Sequence, residues 1–109
     1  MRNAERTARV CALIKQRLID AVATEIYLDS NKNQLLTVTT TGTVRLYSYG
    51  THIATINSEN EVRATEYWDY SMTTRKFFFA VMCEFGCKVP KTTKEMRTAV
   101  LNGDIVVMR

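Results

Sequence analysis

Little in this chain would bend a backbone sharply or cross a membrane. One proline and four glycines among 109 residues exclude collagen-like and linker-rich classes and leave an ordered globular chain as the expectation. The longest apolar cluster, Phe77 to Cys83, falls far short of the ~18 residues that a membrane-spanning helix requires. The apolar piece near the N-terminus is interrupted at Lys15 and Arg17 before it could act as a secretion signal, so residence in the cytoplasm of a host cell is expected. Cysteine is scarce and odd in number, three in all, which argues against a disulfide framework and for reduced thiols behaving as small buried hydrophobes. His52 is the single histidine, with no carboxylate beside it in sequence. Acid–base chemistry needs a positioned partner and hydrolysis an oxyanion donor or metal, and neither is signalled. A non-enzymatic protein without a cofactor is the expectation.

What is present is a core of ordinary size and a moderate basic excess. An apolar fraction of 46% at this length suits one domain, residues 1–109, with one core. The net charge of +4 favours acidic partners, such as nucleic acid or an acidic protein groove, and excludes a polyanionic mimic of DNA.

Val10, Leu13, Ile14, Leu18, Ala21 and Val22 recur at helical spacing, which predicts an amphipathic helix from about Ala4 to Ala23 with Asn3 as N-cap and Glu5 in its first turn. Its end is left open, because Thr24 to Asp29 alternates as a strand would. Asp29 to Asn33 is a turn by composition. Beyond it a four-stranded antiparallel meander is expected, at Gln34 to Thr40, Thr43 to Tyr49, Thr51 to Asn57 and Glu61 to Glu66, with links near Gly42, at Tyr49-Gly50 and at Ser58 to Asn60. In the second strand Val44 and Leu46 face one side, while Arg45 and Tyr47 face the other. Ser71 or Thr73 then caps a helix on which Phe78, Val81, Met82 and Phe85 share an apolar arc that Phe77, Phe79 and Ala80 widen, up to a Gly86 stop. A helix apolar over most of its circumference belongs in the interior. After Val89-Pro90, Thr92-Thr93-Lys94-Glu95 has capping-box spacing and opens a short third helix through Met96, Ala99, Val100 and Leu101. Asn102-Gly103 ends it, and Asp104 to Met108 supplies a terminal extended segment. The fold class is α+β.

The order Tyr49-Gly50, Ile53-Ala54, Tyr70-Ser71, Thr73-Thr74 and Lys76 before an apolar helix resembles a small domain of unknown function carried by phages and plasmids. That family's pattern reads Ser-Tyr-Gly-Thr, Ile-Ala, then Tyr-Ser-x-Thr-Thr-x-Lys-His, and the likeness covers about Leu46 to Gly86. Phe77 stands where the pattern has His, so no polar role of that His carries over. The resemblance implies a mobile-element accessory protein. Its small format is similar to that of phage anti-CRISPR and other anti-defence inhibitors, which would make the partner a host effector such as a CRISPR nuclease complex.

Six residues are the expected partner-binding set. Arg45 and Tyr47 on one strand and Arg63 on another lie on the polar face of the meander, with Trp68 following beside Tyr67 and Tyr70, and aromatics next to arginines can stack bases and neutralise phosphates. For Tyr67 and Trp68, packing against the sheet is the preferred reading. Arg75 and Lys76 fall in the first turn of the central helix, where the dipole disfavours cations, and with Ser71 and Thr73 they would form an anion site; pairing with Asp69 or Glu66 is the plainer alternative. The N-terminal helix carries Arg2, Arg6, Arg9, Lys15 and Arg17, and its preferred role is to cover the sheet. Single-stranded nucleic-acid binding is the rival function. A zinc-stabilised interaction module built from Cys11, His52, Cys83 and Cys87 is the third, against which Gly86 interrupts the helix between the last two cysteines.

Overall fold

The computed structural model describes residues 3–28, 30–102 and 106–108, and for Asn3, Ala4 and 106–108 it describes the backbone alone. The α+β architecture is as expected. Helix α1 (Asn3–Asp20) is followed by five consecutive antiparallel strands, β1 (Thr24–Tyr27), β2 (Gln34–Val38), β3 (Val44–Ser48), β4 (Thr51–Ile56) and β5 (Val62–Thr65). Helices α2 (Met72–Glu84) and α3 (Thr93–Leu101) then lead to β6 (Val106–Met108), which pairs in parallel with β5. A parallel neighbour needs a crossover, and α2 with α3 supplies it. The meander therefore has five strands, not four. The alternation from Thr24 is β1, an edge strand paired with β2 from Thr24↔Val38 to Tyr27↔Leu35.

Alternation sets the two faces. On β2 and β3 every second residue is buried, so Gln34, Leu36 and Val38 face inward with Val44, Leu46 and Ser48. The link between β3 and β4 is a two-residue turn in which Tyr49 (φ 52°) and Gly50 (φ 80°) both adopt the left-handed conformation, as a type I′ hairpin demands. Between Leu46↔Ala54 and Tyr47↔His52 the register shifts. Ile53 is the extra residue of a bulge, and Ile53 and Ala54 are both buried in succession.

The inward face meets the helices in one core. Val10, Cys11 and Ile14 of α1, Phe77, Phe78, Val81 and Met82 of α2, and Met96 of α3 join the inward strand residues there. Phe78, fully buried, lies 5.5 Å from Trp68 and 5.3 Å from Phe79 between ring centres; its burial alone contributes about 2–3 kcal/mol. Ser71 caps α2 by accepting from the Thr74 N–H, and Thr92 caps α3 by accepting from the Glu95 N–H. Gly86 (φ 64°) closes α2 in a Schellman arrangement, its N–H bonded to the Cys83 carbonyl and that of Cys87 to the Met82 carbonyl.

Two expectations about α1 need correction, while α3 forms as expected. On α1, Leu13 and Val22 are exposed, because the buried stripe runs Thr7, Val10, Cys11 and Ile14 and the helix stops at Asp20 with Ala21 left-handed. Leu101 of α3 is exposed, lying off the Met96–Ala99 face. Asn3 is the first residue of α1; its capping side chain, and the expectations on Arg2, Asp29, Gly103 and Asp104, lie outside the described residues.

A chain of hydroxyls, buried at Ser48 and Thr74, ties sheet to helix. The Ser71 hydroxyl donates to Thr74 Oγ1 (2.9 Å), the Thr74 hydroxyl lies 2.9 Å from Ser48 Oγ, and the Gln34 amide reaches Ser48 Oγ at 3.4 Å. Above it the Tyr70 hydroxyl donates to the Ser48 carbonyl at 3.0 Å. Thr74 and Ser48 are both fully buried, so breaking the link strands a polar group and costs about 1–3 kcal/mol. Thr74→Val is expected to lower Tm by several degrees, and in a thermal-denaturation double-mutant cycle with Ser48→Ala the double variant loses less than the two singles together. Strict additivity would contradict the link.

Candidate functional site

With all three helices contributing to the core on the inward side, the opposite face of the sheet has no described helix packed on it. Register then decides what that face displays. Glu25, Thr37, Arg45, Thr55 and Arg63 are successive partners across β1 to β5 and form one row. Tyr27, Leu35, Tyr47 and His52 form the next. Side chains opposite one another on adjacent strands share a face at about 5 Å spacing, so the two rows make a single surface with two arginines along one line and three rings along the other.

The bulge is what places His52 here. The extra residue at Ile53 lets both His52 and Thr55 face outward although they are three apart, and it sets the His52 ring 5.2 Å from that of Tyr47, tilted by 35°. The carbonyls at the bulge are satisfied from β5, where the Thr65 hydroxyl donates to the His52 carbonyl at 2.8 Å and to that of Ile53 at 3.2 Å. His52 Nε2 lies 2.9 Å from Thr55 Oγ1 and 3.1 Å from the Ala54 carbonyl, which holds the ring in place. Partial burial, with the Arg45 charge adding to it, lowers the His52 pKa below its usual 6.5, against an opposing hydrogen bond to the Ala54 carbonyl. The ring is therefore neutral at pH 7 and available for stacking. A shallow depression of about 480 Å³ between β1, β2 and β3, lined by Thr24, Glu25, Thr37, Thr39, Arg45 and Tyr47, extends this surface toward the sheet edge. At that edge Lys32 Nζ sits 5.9 Å from the centre of the Tyr27 ring.

Of the six residues expected at a partner site, the structure brings together Arg45, Tyr47 and Arg63. Trp68 does not belong with them: it is 4% exposed, with Phe78 and Phe79 beside it, so it is core. Tyr67, also given packing as its preferred reading, is instead exposed. The anion site at the start of α2 does not assemble as expected either. Ser71 spends its hydroxyl on Thr74, and the Arg75 guanidinium donates to the Asp69 carbonyl at 3.3 Å. The Asp69 carboxylate pairs with Arg97 at 3.0 Å instead of Arg75. Lys76 is exposed on the helix side of the sheet, away from Arg45.

The four residues weighed as zinc ligands lie apart in kind of environment. Cys11 is in the core, and burial, followed by the nearby Glu84 charge, pushes its thiol up to about 12. Such a thiol is neither a ready metal ligand nor a nucleophile. His52 is on the opposite face of the sheet. Cys87 donates weakly to Asn60 Oδ1 (3.7 Å), burial raising its pKa, while Cys83 is exposed. Among the described residues no group of three or more His, Cys, Asp or Glu side chains could hold a metal ion. No described helix is long and apolar enough to cross a membrane.

The chain belongs to a family whose model, described as "Family of unknown function (DUF8033)", matches residues 15–98. That span runs from the last third of α1 through most of α3 and contains the whole meander, both outward rows and the hydroxyl chain. Comparison with curated proteins and with solved structures gives no match.

Sequence reasoning weighed His52 only as a catalyst or ligand and passed over Tyr27. The single usable signal was the apolar pair Ile53-Ala54, which breaks the alternation of β4 and marks the bulge. Because the folded-state pKa of His52 is depressed, its neutral form favours folding: the contribution is present above pH 6.5 and is lost as pH falls through the lowered folded-state value. Thermal midpoints measured from pH 7 to pH 5 should therefore fall less for His52→Asn than for the unaltered protein; equal slopes would contradict the burial of the ring.

Proposed function

We propose that this is a non-enzymatic binding protein that uses the open face of its sheet to hold single-stranded nucleic acid. The observation that carries the reading is the pair of rings on Tyr47 and His52, 5.2 Å apart on adjacent strands and bordered by Arg45 and Arg63 in the neighbouring row. Rings on a sheet accept the faces of unpaired bases whatever their identity, at ~1–3 kcal/mol each, and guanidinium groups at the border neutralise phosphates. Duplex bases are stacked on each other and offer no face to such a platform. Two stacked bases at the upper end of that range, with two phosphate contacts added, approach the ~8 kcal/mol of micromolar affinity. Glu25 closes the arginine row at the β1 edge, which favours a strand running across β3 to β5. The net charge of +4 assists encounter.

In this reading the biological setting is that of a phage or plasmid accessory protein, acting on strands exposed during replication, transfer or host attack. A second reading, occlusion of a host effector as an anti-defence inhibitor, is favoured by a different surface. Tyr49, Tyr67, Tyr70 and Met72 are each about half exposed around the start of α2, with Tyr49 edge-on to Tyr70 at 6.5 Å. Aromatic and Met side chains of this kind are enriched at protein interfaces. Loss of effector inhibition in Met72→Glu with strand binding intact would favour it.

Fluorescence anisotropy with single-stranded RNA and DNA oligomers is expected to give micromolar binding with a log–log salt slope of roughly −1.4, the value for two phosphate contacts on a single strand. Tyr47→Ala weakens it about tenfold, and Arg45→Gln with Arg63→Gln removes most of the salt dependence. Equal affinity for duplex and single strand, or variants that bind like the parent, would overturn the proposal.

A further inference from the structure

On the helix side, α1 and α2 run in the same direction. At one end Lys15 Nζ donates to the Glu84 carbonyl and lies 5.5 Å from the centre of the Phe85 ring. At the other the two helices and the hairpin ends of the sheet enclose a groove of about 430 Å³, lined in part by Arg6, Gln34, Tyr49, Thr73, Lys76 and Phe77. From this groove we infer that the protein has a second ligand site, for a small aromatic molecule bearing one phosphate or carboxylate, distinct from the open sheet face.

Three features of the lining point to that class. Arg6 and Lys76 come from different helices to the same cavity, none of the residues lining it is acidic, and among the described residues neither cation has an acidic partner. Cations that would repel each other across a groove are stabilised by an anion between them. Next, Gln34 is only 8% exposed and forms part of the wall. Its amide carries two N–H donors and a carbonyl, and its one side-chain bond among the described residues is the 3.4 Å contact to Ser48. No buried side-chain polar atom among the described residues lacks a partner, so the amide groups that Ser48 does not use open onto the groove, where a ligand can hydrogen-bond to them. Phe77, Ala80, Leu28 and Tyr49 form an apolar and aromatic part of the lining beside the polar Thr7, Asn33 and Thr73, which accommodates a ring next to the anionic group.

Size sets the upper limit. The volume lies near the lower end of the ~300–1,000 Å³ typical of small-molecule sites, room for a substituted ring or a nucleoside-sized body and not for a polymer. Tyr49 belongs to both this wall and the β3–β4 turn, and its N–H is bonded to the Asn33 carbonyl at 2.6 Å. The groove is thus built from the same hairpin end that the hydroxyl chain fixes to α2. It shares no lining residue with the outward rows of the sheet.

The test is titration of the full chain with phenyl phosphate, benzoate, inorganic phosphate and benzyl alcohol, followed by calorimetry and by ¹⁵N-resolved NMR of the Gln34 side-chain amide. An aromatic anion is expected to bind and to move the Gln34 signal, with inorganic phosphate and benzyl alcohol weaker by about tenfold or more. Preference for phenyl phosphate assigns a phosphate ester, and preference for benzoate assigns a carboxylate. The Arg6→Gln, Lys76→Gln double variant, both changes being at the groove's surface, should lose about tenfold or more in affinity at unchanged Tm, while Arg45→Gln binds like the parent. No shift of Gln34 at millimolar aromatic anion, inorganic phosphate binding as tightly as phenyl phosphate, or full affinity in the double variant would each overturn the site. Because Arg45 and Lys76 are on opposite sides of the sheet, failure here leaves the strand-binding reading separately testable.

Discussion

The buried contact between the Ser48 and Thr74 hydroxyls, at 2.9 Å, is the constraint on which the rest of the molecule turns. It joins the end of β3 to the first turn of α2, two segments far apart in sequence, in a place where water cannot substitute for either partner. Thr74 is a poor helix former by propensity, yet here it is the one polar residue in the buried arc of α2. Ser71 serves twice, as helix cap and as donor to Thr74, and Tyr70 reaches the Ser48 carbonyl. The far end of α2 is held in a similar way, since the Asn60 side chain, in the β4–β5 turn, donates to the Phe85 carbonyl at 3.2 Å. Fixed at both ends by polar contacts to the sheet, the helix can seat Phe77, Phe78, Val81 and Met82 in only one register.

A helix seated in this way makes the sheet asymmetric. One face is consumed by the core, and the other displays Arg45, Tyr47, His52 and Arg63 on strands made rigid by the packing beneath them. Binding surfaces on such a scaffold lose little entropy when a ligand arrives, because their side chains are already ordered by neighbours. The bulge at Ile53 links the two faces. It buries one more apolar residue on the inside and, by the same step, turns His52 outward beside Tyr47.

Much of this was legible in the residues. Strands β2 to β5 were placed to within two residues because Val, Ile, Leu and Thr alternate between clear turn signals, and α2 and α3 because Ser71, Gly86 and Thr92 are strong end markers. β1 was harder to read. It is four residues long and follows α1 after a stop at Ala21, a residue with no usual preference for the left-handed conformation. Of the two aromatics given packing as their preferred reading, Trp68 is buried and Tyr67 is exposed, because single aromatics just past a strand carry no period that could tell inside from outside. The pairing of Arg75 with a backbone carbonyl, and of Asp69 with Arg97, depends on how α3 returns to the start of α2, which no local pattern encodes. Tyr70, Ser71 and Thr74, which stand together in the sequence just before the apolar helix, are groups of the hydroxyl chain, so their part here is in how the domain is assembled.

The central claim is that the face of the sheet on which no described helix packs is the working surface. Chemical-shift mapping of the labelled protein with a single-stranded decanucleotide tests it most directly. The account predicts perturbations concentrated on Arg45, Tyr47, His52, Thr55 and Arg63, with the buried residues Phe78, Val81 and Met82 of α2 unmoved. Perturbations confined to the outer surfaces of α1 and α2, or none at millimolar oligonucleotide, would contradict it.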